Sequence, residues 1–345
     1  MSTSAGPDVV EQLDDYRCII RDALASDLPQ GEPRRWLYDL VADYPAREAK
    51  GLRPALCLAT AEALGGRSSE ALPSAVAIEL LHNAFLVHDD IEDESELRRG
   101  HPTLHALHGL PLALNAGDAL AILGLEPLQR NAELVGTKLA GRIAAEFTTM
   151  ARLTLEGQAT ELGWIRDNVI DLEPSDYLDL IMRKTCWYTT IHPMRVGMLV
   201  GALGSLDPDR VVDFGFHLGA AFQIRDDVLN LVGDEAVYGK EILGDLLEGK
   251  RTLMLIHLLG ELPSGERGEL RDFLSTPREA RSIEAARDVR DLMITYGSIE
   301  VAEEYARLFA LRAEDSYGYA FGTAANTPPG RFIRRLISYM LERTS

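Results

Sequence analysis

Two acidic clusters are the residues most able to do chemistry: Asp89-Asp90-Ile91-Glu92-Asp93 and Asp226-Asp227-Val228-Leu229-Asn230. Each ends an apolar stretch of helical spacing, and basic residues follow each one. Carboxylates this close repel one another, so a fold that presents them on adjacent turns is expected to neutralise them with a divalent cation. Asp89 and Asp93, four apart, would stack about 6 Å from one another on one helix face. The bland reading of a solvated acidic helix end is weakened, because negative charge is unfavourable at a helix C-terminus. An EF-hand is excluded, since the Gly and bidentate Glu it requires are not at their places. Two such clusters, far apart in sequence, could face one another across a cavity.

Basic residues complete the pattern. Arg98 and Arg99 lie five and six residues beyond Asp93 and suit bidentate contact with phosphate oxygens. A cation site beside paired arginines suits a diphosphate. Lys50 and Arg53, three apart, would project from one side of a first helical turn and make a second anion-binding pair. Lys184, Lys240 and Lys250 recur near the acidic stretches, although each alone reads as a solvated surface lysine. No Ser/His/Asp arrangement or activated cysteine is indicated.

The elements that position these groups read as helices. Apolar residues recur at three and four, and period-two alternation rarely persists, so the expected fold class is all-α. Helices are expected over residues 8–27, 33–44, 53–65, 71–94, 111–122, 135–167, 174–203, 208–232, 245–261, 279–295, 298–322 and 328–343. Turn chemistry separates them, as at Gly65-Gly66, Arg99-Gly100-His101-Pro102 and Leu262-Pro263-Ser264-Gly265. With no repeat and no flexible linker, the simplest architecture is one large helical bundle over residues 1–345, and the small and apolar residues of FGFHLGAAFQIRDDVLNLVG suit a helix lining a central apolar cavity.

Composition narrows the function classes. The chain has 345 residues, 46% of them apolar, and a net charge of -19, which argues against binding nucleic acid or an anionic membrane. Cys18, Cys57 and Cys186 sit in apolar helical contexts without CxxC spacing, so free thiols are expected rather than zinc or disulfides. The N-terminus lacks the regions of a secretory signal and is taken as a native start. No apolar run is expected to reach the roughly 18 residues of a membrane span, so a soluble cytoplasmic protein without an integral membrane segment is expected.

The segment HDDIEDESELRRGHPTLH resembles the first aspartate-rich region of the trans-isoprenyl diphosphate synthases, the polyprenyl synthetase family. Other blocks resemble that family in its own order: Ala49-Lys50-Gly51-Leu52-Arg53-Pro54, Lys184-Thr185, Phe222-Gln223-Ile224-Arg225-Asp226-Asp227, Gly239-Lys240 through Gly244-Asp245-Leu246, and Gly249-Lys250-Arg251-Thr252. Together they span residues 49–252.

The resemblance implies a magnesium-dependent short-chain prenyltransferase that joins isopentenyl diphosphate head-to-tail to an allylic diphosphate. It implies metal ligands Asp89, Asp90, Asp93, Asp226, Asp227 and Asn230, with about three magnesium ions per site. Isopentenyl diphosphate falls to Lys50, Arg53, His82 and Arg99, and the allylic diphosphate to Arg98, Lys184 and Lys240, with Lys250 nearby. Thr185 and Gln223, with Lys184, are the catalytic set, the first two stabilising an allylic cation. Asn230 stands where the family usually has Asp, and Gly51 where a basic residue is common. Glu161 is a longer substitute for the Asp of the family's GQxxD.

Product length is expected to follow the depth of an apolar tunnel below Asp89, bounded by Leu81, Ala84 and Phe85. Family members that stop at fifteen carbons often place bulk at one or both of the last two positions; here only Phe85 is aromatic, so a partly open floor favours geranylgeranyl diphosphate, with farnesyl diphosphate next. A class I terpene cyclase and a non-catalytic subunit of a heteromeric synthase are the other readings. Homodimerisation is implied too, with LPLALNAGDALAILG as a candidate interface.

Overall fold

The computed structural model describes residues 8–47, 49–233 and 242–342. Lys240, assigned above to the allylic diphosphate, lies outside the described residues. The described chain is helical almost throughout, with one two-stranded ribbon. The first half contains α1 (Val9–Asp27), α2 (Asp39–Ala46), α3 (Leu52–Ala63), α4 (Ser68–Glu92), α5 (Leu104–His108), α6 (Leu110–Leu123), α7 (Leu125–Val135) and α8 (Thr137–Arg166). The second contains α9 (Pro174–Ile181), α10 (His192–Gly201), α11 (Val212–Val232), α12 (Gly244–Glu248), α13 (Leu253–Glu261), α14 (Ser264–Ser275), α15 (Ile283–Thr295), α16 (Ser298–Phe321) and α17 (Pro328–Glu342).

The core forms because α3, α4, α10 and α11 are buried over most of their surfaces. Small residues let α3 and α10 approach closely: a Cβ added at Gly201 would lie 2.5 Å from the Ala61 carbonyl oxygen. On its other side α3 packs against α4, and α4 in turn against α6. Behind the second acidic cluster, α11 lies along α16. Helix α4 corrects one expectation. Its 25 residues, with a mean hydropathy of 1.2 in the most apolar window, are long and apolar enough to cross a membrane, but 78% of that window is buried inside the protein. It is a core helix.

Two expected helices differ from the sequence reading for identifiable reasons. The expected helix 174–203 contains a π-helical stretch, Met182–Ile191, between α9 and α10. Pro193 has no N–H to give to the carbonyl four residues back and its ring would crowd that carbonyl, which the wider π turn relieves. The expected helix 245–261 is two helices, because Gly249 (φ 78°) ends α12 in the left-handed region and Thr252 caps α13. Helices α7 and α14 were not expected at all.

The ribbon pairs β1 (Leu97–Arg98) with β2 (His101–Pro102) across Arg99 (φ 55°) and Gly100 (φ 74°). Two positive-φ residues in a two-residue loop match the twist of a tight hairpin. The turn sends the neighbouring guanidiniums of Arg98 and Arg99 to different partners.

Candidate active site

Helices α4, α8 and α11, the π-helical stretch and the segment 245–252 enclose a cavity of about 350 Å³. Asp89 enters it from α4, Asp226 from α11, and Lys184 from the π-helical stretch. A smaller cavity of about 40 Å³ adjoins it, shared by Asp89, Arg98, Asp245 and Lys250 and lined also by Asp93 and Asn230. The two acidic clusters therefore do face one another.

The carboxylates of the first cluster have unequal environments. Asp89 is reached by Lys184 Nζ at 3.5 Å and by the Gln158 amide at 3.4 Å. Asp90 is fully buried and turned away from the cavity. Its Oδ2 accepts from the Tyr44 hydroxyl at 2.5 Å, and its Oδ1 from Arg98 Nε at 2.7 Å. Asp90, expected among the metal ligands, thus has both oxygens hydrogen-bonded within the protein, and on the helix it is rotated about 100° from Asp89. Asp93 is buried and accepts from Lys250 Nζ at 2.6 Å. Burial pushes its pKa up to about 8, against the opposing pull of Lys250, while Asp89 adds to the rise.

In the second cluster, Asp227 is the buried aspartate. It accepts from the Tyr177 hydroxyl and the Gln223 amide, each at 2.7 Å. Burial raises its pKa to about 7, although both hydrogen bonds act to lower it. Thr185 donates to the Gln223 amide oxygen at 3.0 Å, so a chain runs from Thr185 through Gln223 to Asp227. Asn230 uses its amide oxygen to accept from the Asp245 backbone N–H at 3.0 Å. A first-turn N–H of α12 is thus capped by a side chain of α11. The oxygen expected to ligate a metal thereby also fixes the segment carrying Asp245 and Lys250.

Lys184 also pairs with Glu161 on α8. Burial works against its charge, but Glu161 and Asp89 outweigh burial and hold the ammonium protonated above its ordinary range. The substitute Glu161 therefore reaches this lysine.

The remaining basic residues gather on the α3 side. Arg53 donates to Thr189 Oγ1 at 2.9 Å, lies 3.3 Å from His82 Nε2, and stacks over the Tyr188 ring at 4.3 Å. Arg99 donates to the Tyr44 carbonyl at 3.3 Å, and burial lowers its pKa. Arg53, His82 and Arg99 all line the cavity. Lys50 is exposed and does not. Glu79, buried on α4, has its pKa raised by burial against the fields of Arg53 and Arg99. Sequence reasoning missed Glu79, Tyr44, Tyr177 and Tyr188, since nothing in their local spacing separates them from ordinary core residues.

Of the three residues expected to bound the tunnel, only Phe85 lines the cavity. It meets the Tyr188 ring edge-on at 5.9 Å. Leu81 lies behind it, packed with Ala77, Phe147 and Met150. Ala84, expected at the tunnel, is fully buried in the α4 cluster that includes Ala113 and Leu120 of α6. Phe85 shares the face of Asp89 at four residues' spacing, and Ala84 is rotated off it.

Among the described residues, no three His, Cys, Asp or Glu side chains converge closely enough to hold an ion by themselves. The donors on offer in the two cavities are nonetheless hard carboxylate oxygens, which fits a hard divalent cation that takes its other ligands from a diphosphate and water.

Residues 34–293 match the polyprenyl synthetase family. The chain is 30% identical to geranylgeranyl diphosphate synthase of Sulfolobus acidocaldarius over 336 residues, 97% of each protein. It is 31% identical to geranylfarnesyl diphosphate synthase of Aeropyrum pernix, covering 85% of this chain and 90% of that one. Its fold matches the crystal structure of geranylgeranyl pyrophosphate synthetase from Pyrococcus horikoshii with a TM-score of 0.85 and 28% identity, covering 97% of this chain and 98% of the other.

Proposed function

Because this chain belongs to the polyprenyl synthetase family, we propose that it joins isopentenyl diphosphate head-to-tail to an allylic diphosphate and stops at geranylgeranyl diphosphate. One observation carries the reading. A single cavity holds an acidic region, with Asp89 and Asp226 on facing helices beside Lys184, and a separate cationic region of Arg53, His82 and Arg99. Two anion-binding regions suit two diphosphates, whereas a cyclase of one substrate needs only the first.

Asp89, Asp93 and Asp226 would hold magnesium, with about three ions per site as the family resemblance implies. Bound there, magnesium neutralises the charge that develops on a leaving diphosphate. Lys184 and Arg98 lie beside Asp89 and add positive charge to the same region. The allylic C–O bond breaks, the diphosphate leaves with the electron pair, and the isopentenyl double bond supplies electrons to the new C–C bond. A proton then leaves the condensed carbon chain for the departed diphosphate. Arg53 and Arg99 orient isopentenyl diphosphate for that attack, and the Thr185–Gln223 pair presents oxygen dipoles to the cation without a nucleophile strong enough to trap it. Phe85, Phe222 and Tyr188 line the cavity and help to exclude water, which would quench the cation.

We further propose a homodimer through α6, supported by exposed Leu110, Leu114 and Ile122, the last 64% accessible. Light scattering on the purified protein would give twice the chain mass; a monomer would refute this part.

The decisive assay supplies dimethylallyl, geranyl or farnesyl diphosphate with isopentenyl diphosphate and magnesium. Geranylgeranyl diphosphate as the longest major product is expected. Absence of condensation with every primer, or hydrocarbon released from geranylgeranyl diphosphate alone, would overturn the reading.

A further inference from the structure

The Lys250 ammonium lies 2.6 Å from Asp93 Oδ2 and 2.6 Å from Glu248 Oε2, with Asp245 Oδ1 at 3.9 Å. Asp93 closes α4, whereas Asp245 and Glu248 belong to α12. One side chain therefore ties the first acidic wall to the segment that follows the second.

Its backbone is held in place from several sides. Lys250 N–H donates to the Asp245 carbonyl at 2.8 Å, directly after the left-handed turn at Gly249. Arg281 forks onto the carbonyls of Leu247 (2.5 Å) and Leu274 (2.8 Å). Arg251, almost wholly buried, donates to the Val169 carbonyl at 3.0 Å, to Asn168 Oδ1 at 2.7 Å and to the Gly249 carbonyl. Two planar guanidiniums thus spend their donors on the chain either side of Lys250. The ammonium is aimed at Asp93 by a braced segment rather than left to choose among surface acids.

An ammonium and a hard divalent ion compete for the same carboxylate oxygens. We propose that Lys250 is the resident cation of the metal-free site: it neutralises Asp93, bridges α4 to α12, and weakens metal binding until a diphosphate arrives. The diphosphate supplies the displaced ammonium with a new anion, so metal and substrate bind together better than either binds alone. This rests on the proposed role of Asp93 as a metal ligand.

The test is calorimetric titration of Mn²⁺ into the metal-free full-length protein with no diphosphate present. Lys250→Gln is expected to tighten Mn²⁺ binding about tenfold, because it removes a fixed positive charge beside the ion's carboxylates. Lys250→Arg, which keeps the charge, is expected to stay within about twofold of the parent protein. Unchanged or weaker binding by Lys250→Gln, or a Lys250→Arg affinity matching that of Lys250→Gln, would overturn the proposal. If Lys250→Gln is unfolded in chelator, Mn²⁺ is expected to restore its cooperative melting transition, and failure to do so overturns it equally. No substrate enters these measurements, so a parent protein that is inactive in prenyl transfer yet shows the affinity change would refute the function and leave this inference standing.

Discussion

The Tyr44 hydroxyl donates to Asp90 Oδ2 at 2.5 Å across 46 residues of sequence, and both groups are buried. Arg98 meets the other oxygen of the same carboxylate. The middle aspartate of the first cluster therefore anchors α2 and the hairpin to the end of α4, while Asp89 beside it serves the cavity.

That division predicts opposite behaviour from neighbouring substitutions. Asp90→Asn replaces a charged acceptor of two donors in a buried site and is expected to cost about 2–4 kcal/mol of stability in denaturant titration. Asp89→Asn is expected to leave stability within about 1 kcal/mol and to lower kcat at least about 100-fold. Equal loss of stability in the two variants would refute the division.

Arg53 combines a stacked guanidinium with a donor to Thr189, a geometry that an ammonium cannot reproduce. Arg53→Lys is expected to raise KM for isopentenyl diphosphate about tenfold or more while changing KM for the allylic partner less than about twofold. Steady-state kinetics with each substrate varied in turn decides it, and a rise in the allylic KM alone would place Arg53 on the wrong substrate.

Phe85 and Ala84 separate the cavity floor from the core behind it. Phe85→Ala is expected to lengthen the main product beyond that of the parent protein, read by chromatography of the dephosphorylated prenols. Ala84→Phe forces a large side chain into the α4–α6 packing and is expected to destabilise by about 1–3 kcal/mol without shortening the product. A shortened product from Ala84→Phe would return that residue to the tunnel.

Burial drives the His192 pKa from its ordinary 6.5 down to about 3, with Arg195 adding to the effect. The folded protein thus holds a neutral imidazole where the unfolded chain binds a proton. This contribution to stability is present above the unfolded pKa and is lost as pH falls toward about 3, with a slope of up to ~1.4 kcal/mol per pH unit. Below both pKa values the slope vanishes. His192→Leu is expected to flatten the stability curve between those limits in urea titrations at stepped pH. An unchanged slope would show that other groups control acid unfolding.

The all-α class, the two acidic clusters, the basic sets flanking them and the family resemblance were all legible in the sequence, because helix periodicity and residue spacing are local properties. Local spacing also placed Asp89, Asp93 and Phe85 on related faces of one helix. It could not distinguish Asp89 from Asp90, since that choice depends on which direction along α4 meets Tyr44 and Arg98 and which meets open space. Nor could it show that the packing of α6 occupies the Ala84 side of the helix. That α12 brings a backbone N–H to the Asn230 oxygen was likewise not legible. The ion pairs of Lys184 with Glu161 and of Lys250 with Asp93 likewise join residues 23 and 157 apart in sequence. Periodicity establishes which side chains share a face, but only the packed helices determine what that face meets, and the burial that follows raises Asp93 and Asp227 while it lowers His192.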